Sequence, residues 1–228
     1  MRCGSTIHTS IISFSRQRVF LLALALGMAT PLPASAEVIG FGKASRGAPP
    51  LDFDFSRTGS GGSGRWAVVD DDTADGGRAL EQSSTEKTDY RFPLAIYKPL
   101  SAKNVEATVR FKPIAGEVDR AGGIAVRLSN PDNYYLVRAN ALEDNVRFYR
   151  IVKGRRIELK SADAKVAANA WHTLALKAEG DRFTVTFDGK QLYTVTDKTF
   201  GQAGRVALWT KADSVTRFDR LEITPHDR

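Results

Sequence analysis

Arg182-Phe183-Thr184-Val185-Thr186-Phe187-Asp188-Gly189-Lys190-Gln191-Leu192 is the stretch that decides the fold class. Phe183, Val185 and Phe187 alternate with Arg182, Thr184 and Thr186, the period of a strand with one face buried. Asp188-Gly189 then supplies two residues that tolerate positive φ, as a type I′ turn requires, so the chain is expected to double back as a hairpin. The preceding run, Trp171-His172-Thr173-Leu174-Ala175-Leu176, alternates in the same way.

The same period extends outward in both directions. Val105, Ala107, Val109 and Phe111 alternate with Glu106, Thr108, Arg110 and Lys112; Ile124, Val126 and Leu128 with Ala125 and Arg127; Tyr135 and Val137 with Tyr134, Leu136 and Arg138; Val206 and Leu208 with Ala207 and Trp209. Turn chemistry separates the runs at Asn130-Pro131-Asp132-Asn133, Lys153-Gly154, Glu179-Gly180-Asp181 and Gly201-Gln202-Ala203-Gly204. Residues 162–170 alone have helical composition. Short strands recurring roughly every 8–14 residues predict an all-β fold, a two-sheet antiparallel jelly-roll sandwich.

The 228 residues, 42% apolar and 26% charged, suffice to bury one such core, which excludes wholesale disorder. The single cysteine, Cys3, excludes an internal disulfide framework and a cysteine-based zinc site. Residues 1–36 read as a secretory signal peptide: Arg16 and Arg18 precede an apolar run over 19–29, and Ala34-Ser35-Ala36 follows as an A-x-A cleavage site. That run is too short for a bilayer, which takes roughly 20 residues, so no stable membrane anchor is expected after cleavage. Arg2, Arg16 and Arg18 would depart without any acid, lowering the net charge of +7 by three. The remaining excess is mild and speaks for solubility rather than for a nucleic-acid partner. The protein is expected to be periplasmic or secreted. Residues 37–64, rich in Gly, Ser and Pro, read as a flexible lead-in with one edge strand at Leu51-Asp52-Phe53-Asp54-Phe55, and 65–228 as the jelly roll.

The series Trp171-His172-x-Leu174, Phe183-x-Val185-x-Phe187-Asp188-Gly189, Gly204-Arg205-Val206-x-Leu208-Trp209 and Phe218-Asp219 resembles the C-terminal half of concanavalin A-like jelly rolls of the laminin-G type. Asp132-Asn133-Tyr134-Tyr135-Leu136-Val137-Arg138-Ala139-Asn140, with Ala121-Gly122-Gly123-Ile124 and Glu143-Asp144-Asn145, is similar to the bacterial 3-keto-disaccharide hydrolase domain, a secreted branch of that fold. The resemblance implies an oligosaccharide or modified sugar as partner and hydrolysis of a keto-glycoside as activity. It supplies strand motifs and no catalytic motif.

Jelly-roll glucanases carry Glu-x-Asp-x-x-Glu on one strand, so that nucleophile and acid flank the scissile bond. Glu117-Val118-Asp119 begins that pattern, but Gly122 stands where the last acid belongs. A carbonyl beside the C–H to be removed makes that proton acidic, so one carboxylate base with arginines on the enolate would suffice, and Glu117, Asp119 and Glu143 are the candidates. His172 reads as a packing residue. Asp70, Asp72 and Asp75 form an acidic turn that is a candidate Ca²⁺ site, since calcium is common in laminin-G-type jelly rolls.

Strand parity gives a ligand-binding set. If Ile124, Val126 and Leu128 face the core, Arg127 points to the opposite face, and Arg138, Asn140, Tyr149, Trp209 and Lys211 share corresponding parities. Indole and phenol rings would stack on a sugar's C–H face while Arg and Asn hydrogen-bond its hydroxyls. The alternative is an outer face on which these arginines merely pair with Asp132, Glu143 or Asp144. Three functions remain open: a glycoside or keto-glycoside hydrolase, a non-catalytic glycan-binding module, and a protein-interaction jelly roll.

Overall fold

The computed structural model describes residues 1–4, 6 and 35–226. Almost all of the expected leader lies outside them. Contacts divide the chain into Met1–Pro33 and Ala34–Arg228, and the fold described below belongs to the second unit.

Its strands are β1 Glu37–Gly40, β2 Phe53–Gly59, β3 Trp66–Asp70, β4 Arg78–Gln82, β5 Arg91–Tyr97, β6 Val105–Ala115, β7 Ala121–Asn130 and β8 Asn133–Asn140. They continue as β9 Asn145–Val152, β10 Arg155–Asp163, β11 His172–Glu179, β12 Arg182–Phe187, β13 Lys190–Thr196, β14 Arg205–Trp209 and β15 Val215–Pro225. The first sheet runs β13-β12-β11-β6-β15-β4-β3, with β1 added against β15; the second runs β10-β9-β8-β7-β14-β5-β2. Neighbours pair antiparallel, as in β11–β12 and β7–β8, giving the two-sheet sandwich that the alternation indicates. Asp188 and Gly189 both take positive φ, 46° and 78°, and close the β12–β13 hairpin as their chemistry requires.

The main core lies between the sheets. Val109, Phe111, Leu174 and Leu176 of the first sheet and Ile124, Val126, Val137 and Phe148 of the second are all completely buried in one cluster. Each such side chain contributes about 1.5–3 kcal/mol relative to an exposed one. Two expectations are revised. Residues 162–170 form no helix, because β10 continues to Asp163 against β9 and the rest is irregular. The lead-in supplies two strands rather than one: β1 pairs with β15, β2 pairs with β5, and Phe41 and Phe53 are buried in the core.

The second sheet is apolar on both faces. Phe92, Leu94, Ala125, Tyr134, Leu136, Tyr149, Ile151, Ala207 and Trp209 form a separate cluster on the side away from the first sheet. This sheet curls strongly. Tyr90, just before β5, donates from Oη to Gly154 O (2.9 Å) and accepts from Arg156 N (2.7 Å) at the start of β10, although four strands separate β5 from β10. The second cluster therefore lies on a concave face whose rims meet at Tyr90.

Candidate functional site on the concave face of the second sheet

Register places the site's side chains. Arg138 on β8 pairs with Arg147 on β9 and with Gly123 on β7, and Gly123 pairs with Trp209 on β14. A Cβ on Gly123 would sit 3.0 Å from Arg138 Cβ and 2.5 Å from Val137 O, so the missing side chain makes room for the arginine. Arg138 is buried, and its guanidinium donates to Asn145 Oδ1 (2.5 Å), Glu143 Oε2 (2.8 Å) and Tyr149 Oη (3.3 Å). Asn145 also donates to Glu143 (3.0 Å), and Arg147 lies between Glu143 (3.4 Å) and Glu158 (3.2 Å).

Asp119 adjoins this group and is itself buried. Asn140 donates to Asp119 Oδ1 (2.8 Å) while its own carbonyl accepts from Leu142 N (2.8 Å) and Glu143 N (3.3 Å), so one amide ties Asp119 to the loop that presents Glu143. Lys211 Nζ lies 3.0 Å from Asp119 and 2.7 Å from Asp89. Asp213, two residues on, accepts the backbone N–H groups of Glu117 (2.8 Å), Val118 (3.1 Å) and Asp119 (3.0 Å) and so fixes the turn that carries Asp119. The β14–β15 loop thus holds Asp119 twice, by its side chain and by its main chain.

The two carboxylates are tuned apart. Burial pushes Asp119 above the usual carboxylate range; Lys211 and Arg138 oppose this, and the nearby Glu143 charge adds to it. Burial also pushes Glu143 upward, but Arg138, Asn145 and Arg147 outweigh it and leave the group below its ordinary value. Lys211 is held above its ordinary range, because Asp89 and Asp119 outweigh its desolvation. The cluster interleaves donors and acceptors and nearly balances its charges. That pattern suits vicinal hydroxyls, each of which gives one proton and accepts others.

Of the ligand set expected from parity, the structure brings Arg138, Asn140, Tyr149 and Lys211 together. Arg127 stands apart. It sits at a bulge with φ 51°, and its guanidinium donates to the backbone carbonyls of Lys103 (2.8 Å), Phe200 (2.8 Å) and Gly180 (2.5 Å). The extra residue reverses the alternation, so Leu128 joins the concave cluster and Arg127 turns toward the loops. Trp209 is on the concave side but fully buried, 5.4 Å from Phe92, and is packing in the floor rather than a stacking plate.

Glu117 is exposed, paired with Lys87 (2.6 Å), and brings no side chain to the cluster. The acidic turn is consumed by cations: Asp70 pairs with Arg46 (2.9 Å) and Asp75 with Arg110 (3.4 Å), while Asp72 is exposed. Among the described residues no three carboxylate, imidazole or thiol groups converge as metal ligands. His172 is buried between Asp188 (2.7 Å) and Ala167 O (3.1 Å), with its ring stacked on Phe187.

Sequence reading missed Asp89, Tyr90, Phe92, Asn145 and Arg156. Tyr90 is 41% exposed and lies 4.8 Å from Phe92, the open aromatic surface at the rim. Arg156 on β10 reaches inward over the Tyr149 ring (4.8 Å) and the Phe92 ring (4.9 Å). Its place two residues before Glu158 on an alternating strand was the available signal.

Residues 103–226, more than half of the chain, match the family described as galactocerebrosidase, C-terminal lectin domain. No curated protein matches the sequence. Among solved structures, the carbohydrate-binding module CBM66 from Bacillus subtilis is similar with a TM-score of 0.60 at 19% identity, covering 75% of this chain and 94% of that one. Domain 4 of AbnA, a GH43 extracellular arabinanase from Geobacillus stearothermophilus solved with arabinotriose, gives 0.55 at 14% identity, with 85% and 94% covered. The β-glucanase of Bacillus licheniformis gives 0.54 at 13% identity, with 84% and 98% covered. At these identities the structural likenesses establish the jelly-roll fold.

Proposed function

This chain belongs to the family of the galactocerebrosidase C-terminal lectin domain, and from that membership we propose that it binds a saccharide on the concave face of its second sheet. The observation that carries the reading is the group Arg138, Asn140, Asp119, Glu143 and Lys211, which presents alternating donors and acceptors beside aromatic rings. A hydroxyl would add to Glu143, whose side chain is 40% exposed beside its Arg138 partner, and Tyr90 would offer a ring face at the rim. The solved relatives that carry carbohydrate-binding names support the same class of ligand. A glycan array tests it: binding is expected for a defined set of oligosaccharides and is expected to weaken at least about tenfold in Arg138→Ala. Binding that is indifferent to Arg138 would contradict it.

Export belongs to the same reading. Strand β1 starts at Glu37, and the Glu37 carboxylate accepts from the Tyr97 hydroxyl, so cleavage after Ala36 would leave every strand intact. The N-terminal sequence of the exported protein is expected to begin at Glu37.

One observation favours hydrolysis as a second reading. Asp119, raised by burial, and Glu143, lowered by Arg138, are tuned apart as a general acid and a base or nucleophile would be. Turnover of 3-keto-disaccharides, assayed with and without EDTA, tests it. Turnover that vanishes in Asp119→Asn supports catalysis, and binding without turnover leaves a lectin.

A further inference from the structure

The cations of the β9–β10 hairpin are not all used alike. Arg147 and Arg150 have carboxylate partners, Glu143 and Glu158 for the first and Asp197 (2.7 Å) for the second. Lys153, Arg155 and Arg156, at the tip of the same hairpin, make no side-chain ion pair or hydrogen bond among the described residues. Three cations fall within four consecutive residues, Lys153-Gly154-Arg155-Arg156. The turn itself is fixed. Lys153 and Gly154 take φ of 50° and 77°, and Tyr90 clamps Gly154 O and Arg156 N from across the concave face.

Arg156 is the key member. Its guanidinium lies 4.8 Å from the Tyr149 ring and 4.9 Å from the Phe92 ring, so it spans the concave face between β9 and β5. Stacking on rings occupies the faces of a guanidinium and leaves its in-plane N–H fork unspent. Asp89, which feels the charge of Arg156, is already in contact with Lys211. Tyr149 also touches Arg138, whose Nη2 donates to its hydroxyl, so the fork of Arg156 lies one ring away from the saccharide cluster.

We infer that the tip of the β9–β10 hairpin is an anion subsite, in which Arg156, flanked by Lys153 and Arg155, receives a carboxylate or sulfate carried by the bound glycan. This names the ligand class of the proposed saccharide site, acidic rather than neutral oligosaccharides, and rests on that reading. The neutral sugar ring would occupy the Arg138–Asn140 end, where each cation has a carboxylate partner, and the anionic substituent the Arg156 end, where Arg156 must share the charge of Asp89 with Lys211. A planar fork matches two oxygens of a carboxylate or sulfate, and the two flanking cations add attraction that salt screens.

The test compares four probes by calorimetric titration: tetragalacturonate, its methyl ester, a sulfated galactan tetrasaccharide and its desulfated form. Each pair keeps the backbone and removes the charge, and the two pairs distinguish carboxylate from sulfate. At least one acidic probe is expected to bind roughly tenfold or more tightly than its uncharged counterpart, with the advantage shrinking as salt rises from about 50 to about 500 mM. Arg156→Gln with Lys153→Gln and Arg155→Gln is expected to erase that advantage, so that the charged and uncharged members of each pair bind alike. Equal binding of charged and uncharged partners, or a preference that survives in the triple variant, overturns the anion subsite and leaves the saccharide reading standing. Failure of every glycan on an array to bind the wild type overturns both.

Discussion

The outer face of the first sheet and the concave face of the second carry the same kinds of residue and use them oppositely. On the outer face, Asp71 lies between Lys112 (2.5 Å) and Arg217 (2.9 Å), and Arg217 also holds Glu81 (2.7 Å). Arg110 reaches Asp219 and lies 4.5 Å from the Trp171 ring, while Lys112 lies 4.7 Å from the same ring. Trp171 Nε1 donates to Thr73 Oγ1 (2.8 Å), which also accepts from Lys112 (3.0 Å). Burial pushes Asp71 upward, but Lys112, Thr73 and Arg217 more than reverse it and hold the group far below the usual range. Around Asp71 the charges close on one another, whereas burial pushes Asp219 upward even with Arg110 beside it. On the concave face, Asp119 is likewise pushed up by burial, but there the Arg156 fork is left open. An arginine beside a tryptophan therefore does not by itself mark a site.

The largest expected effect comes from breaking the closed face. Asp71→Ala strips Lys112 and Arg217 of a shared buried partner and should cost about 3–5 kcal/mol in urea unfolding, with saccharide affinity unchanged. Unaltered stability would show that the network does not hold in solution. Arg138→Ala should lower saccharide affinity roughly tenfold to a hundredfold, since charge-assisted hydrogen bonds contribute about 1.5–3 kcal/mol. It should also cost some stability, because Asn145 and Glu143 lose their donor. Asp213→Ala tests the support beneath the site. Three backbone N–H groups lose their acceptor, so a loss of about 1–3 kcal/mol and a smaller drop in affinity through displaced Asp119 are expected.

The smallest effect separates Asp71 from Asp119 by pH. Asp71 and Glu143 are depressed in the folded state, so the stability they contribute is present above their unfolded values, 3.8 and 4.5, and is lost as pH falls through the folded ones. Asp119 is raised, which reverses the sign: its contribution is present at low pH and lost as pH rises through the folded value. Acid unfolding curves should therefore flatten in Asp71→Asn, whereas Asp119→Asn should remove a loss of stability on the alkaline side. The same response from both variants would erase the distinction.

The sandwich was legible because burial on one face imposes a period of two, which 105–111, 174–176 and 183–187 show without interruption. The parity of Arg138, Asn140, Tyr149 and Lys211 was legible for the same reason. Arg127 was not, because a bulge leaves the apolar pattern intact while reversing the faces beyond it. The role of the acidic turn depended on Arg46 in the lead-in and Arg110 on β6, both distant in sequence. Tyr90 and Arg156 meet only because the sheet curls, a property of the whole sheet that no local pattern carries.

The most direct test of the concave face as the saccharide site is calorimetric titration of one array-identified oligosaccharide into the wild type, Arg138→Ala and Arg110→Ala. Binding to the wild type and to Arg110→Ala with equal affinity is expected, and binding to Arg138→Ala roughly tenfold to a hundredfold weaker. Loss of binding in Arg110→Ala with retention in Arg138→Ala would move the ligand to the outer face of the first sheet and contradict the account.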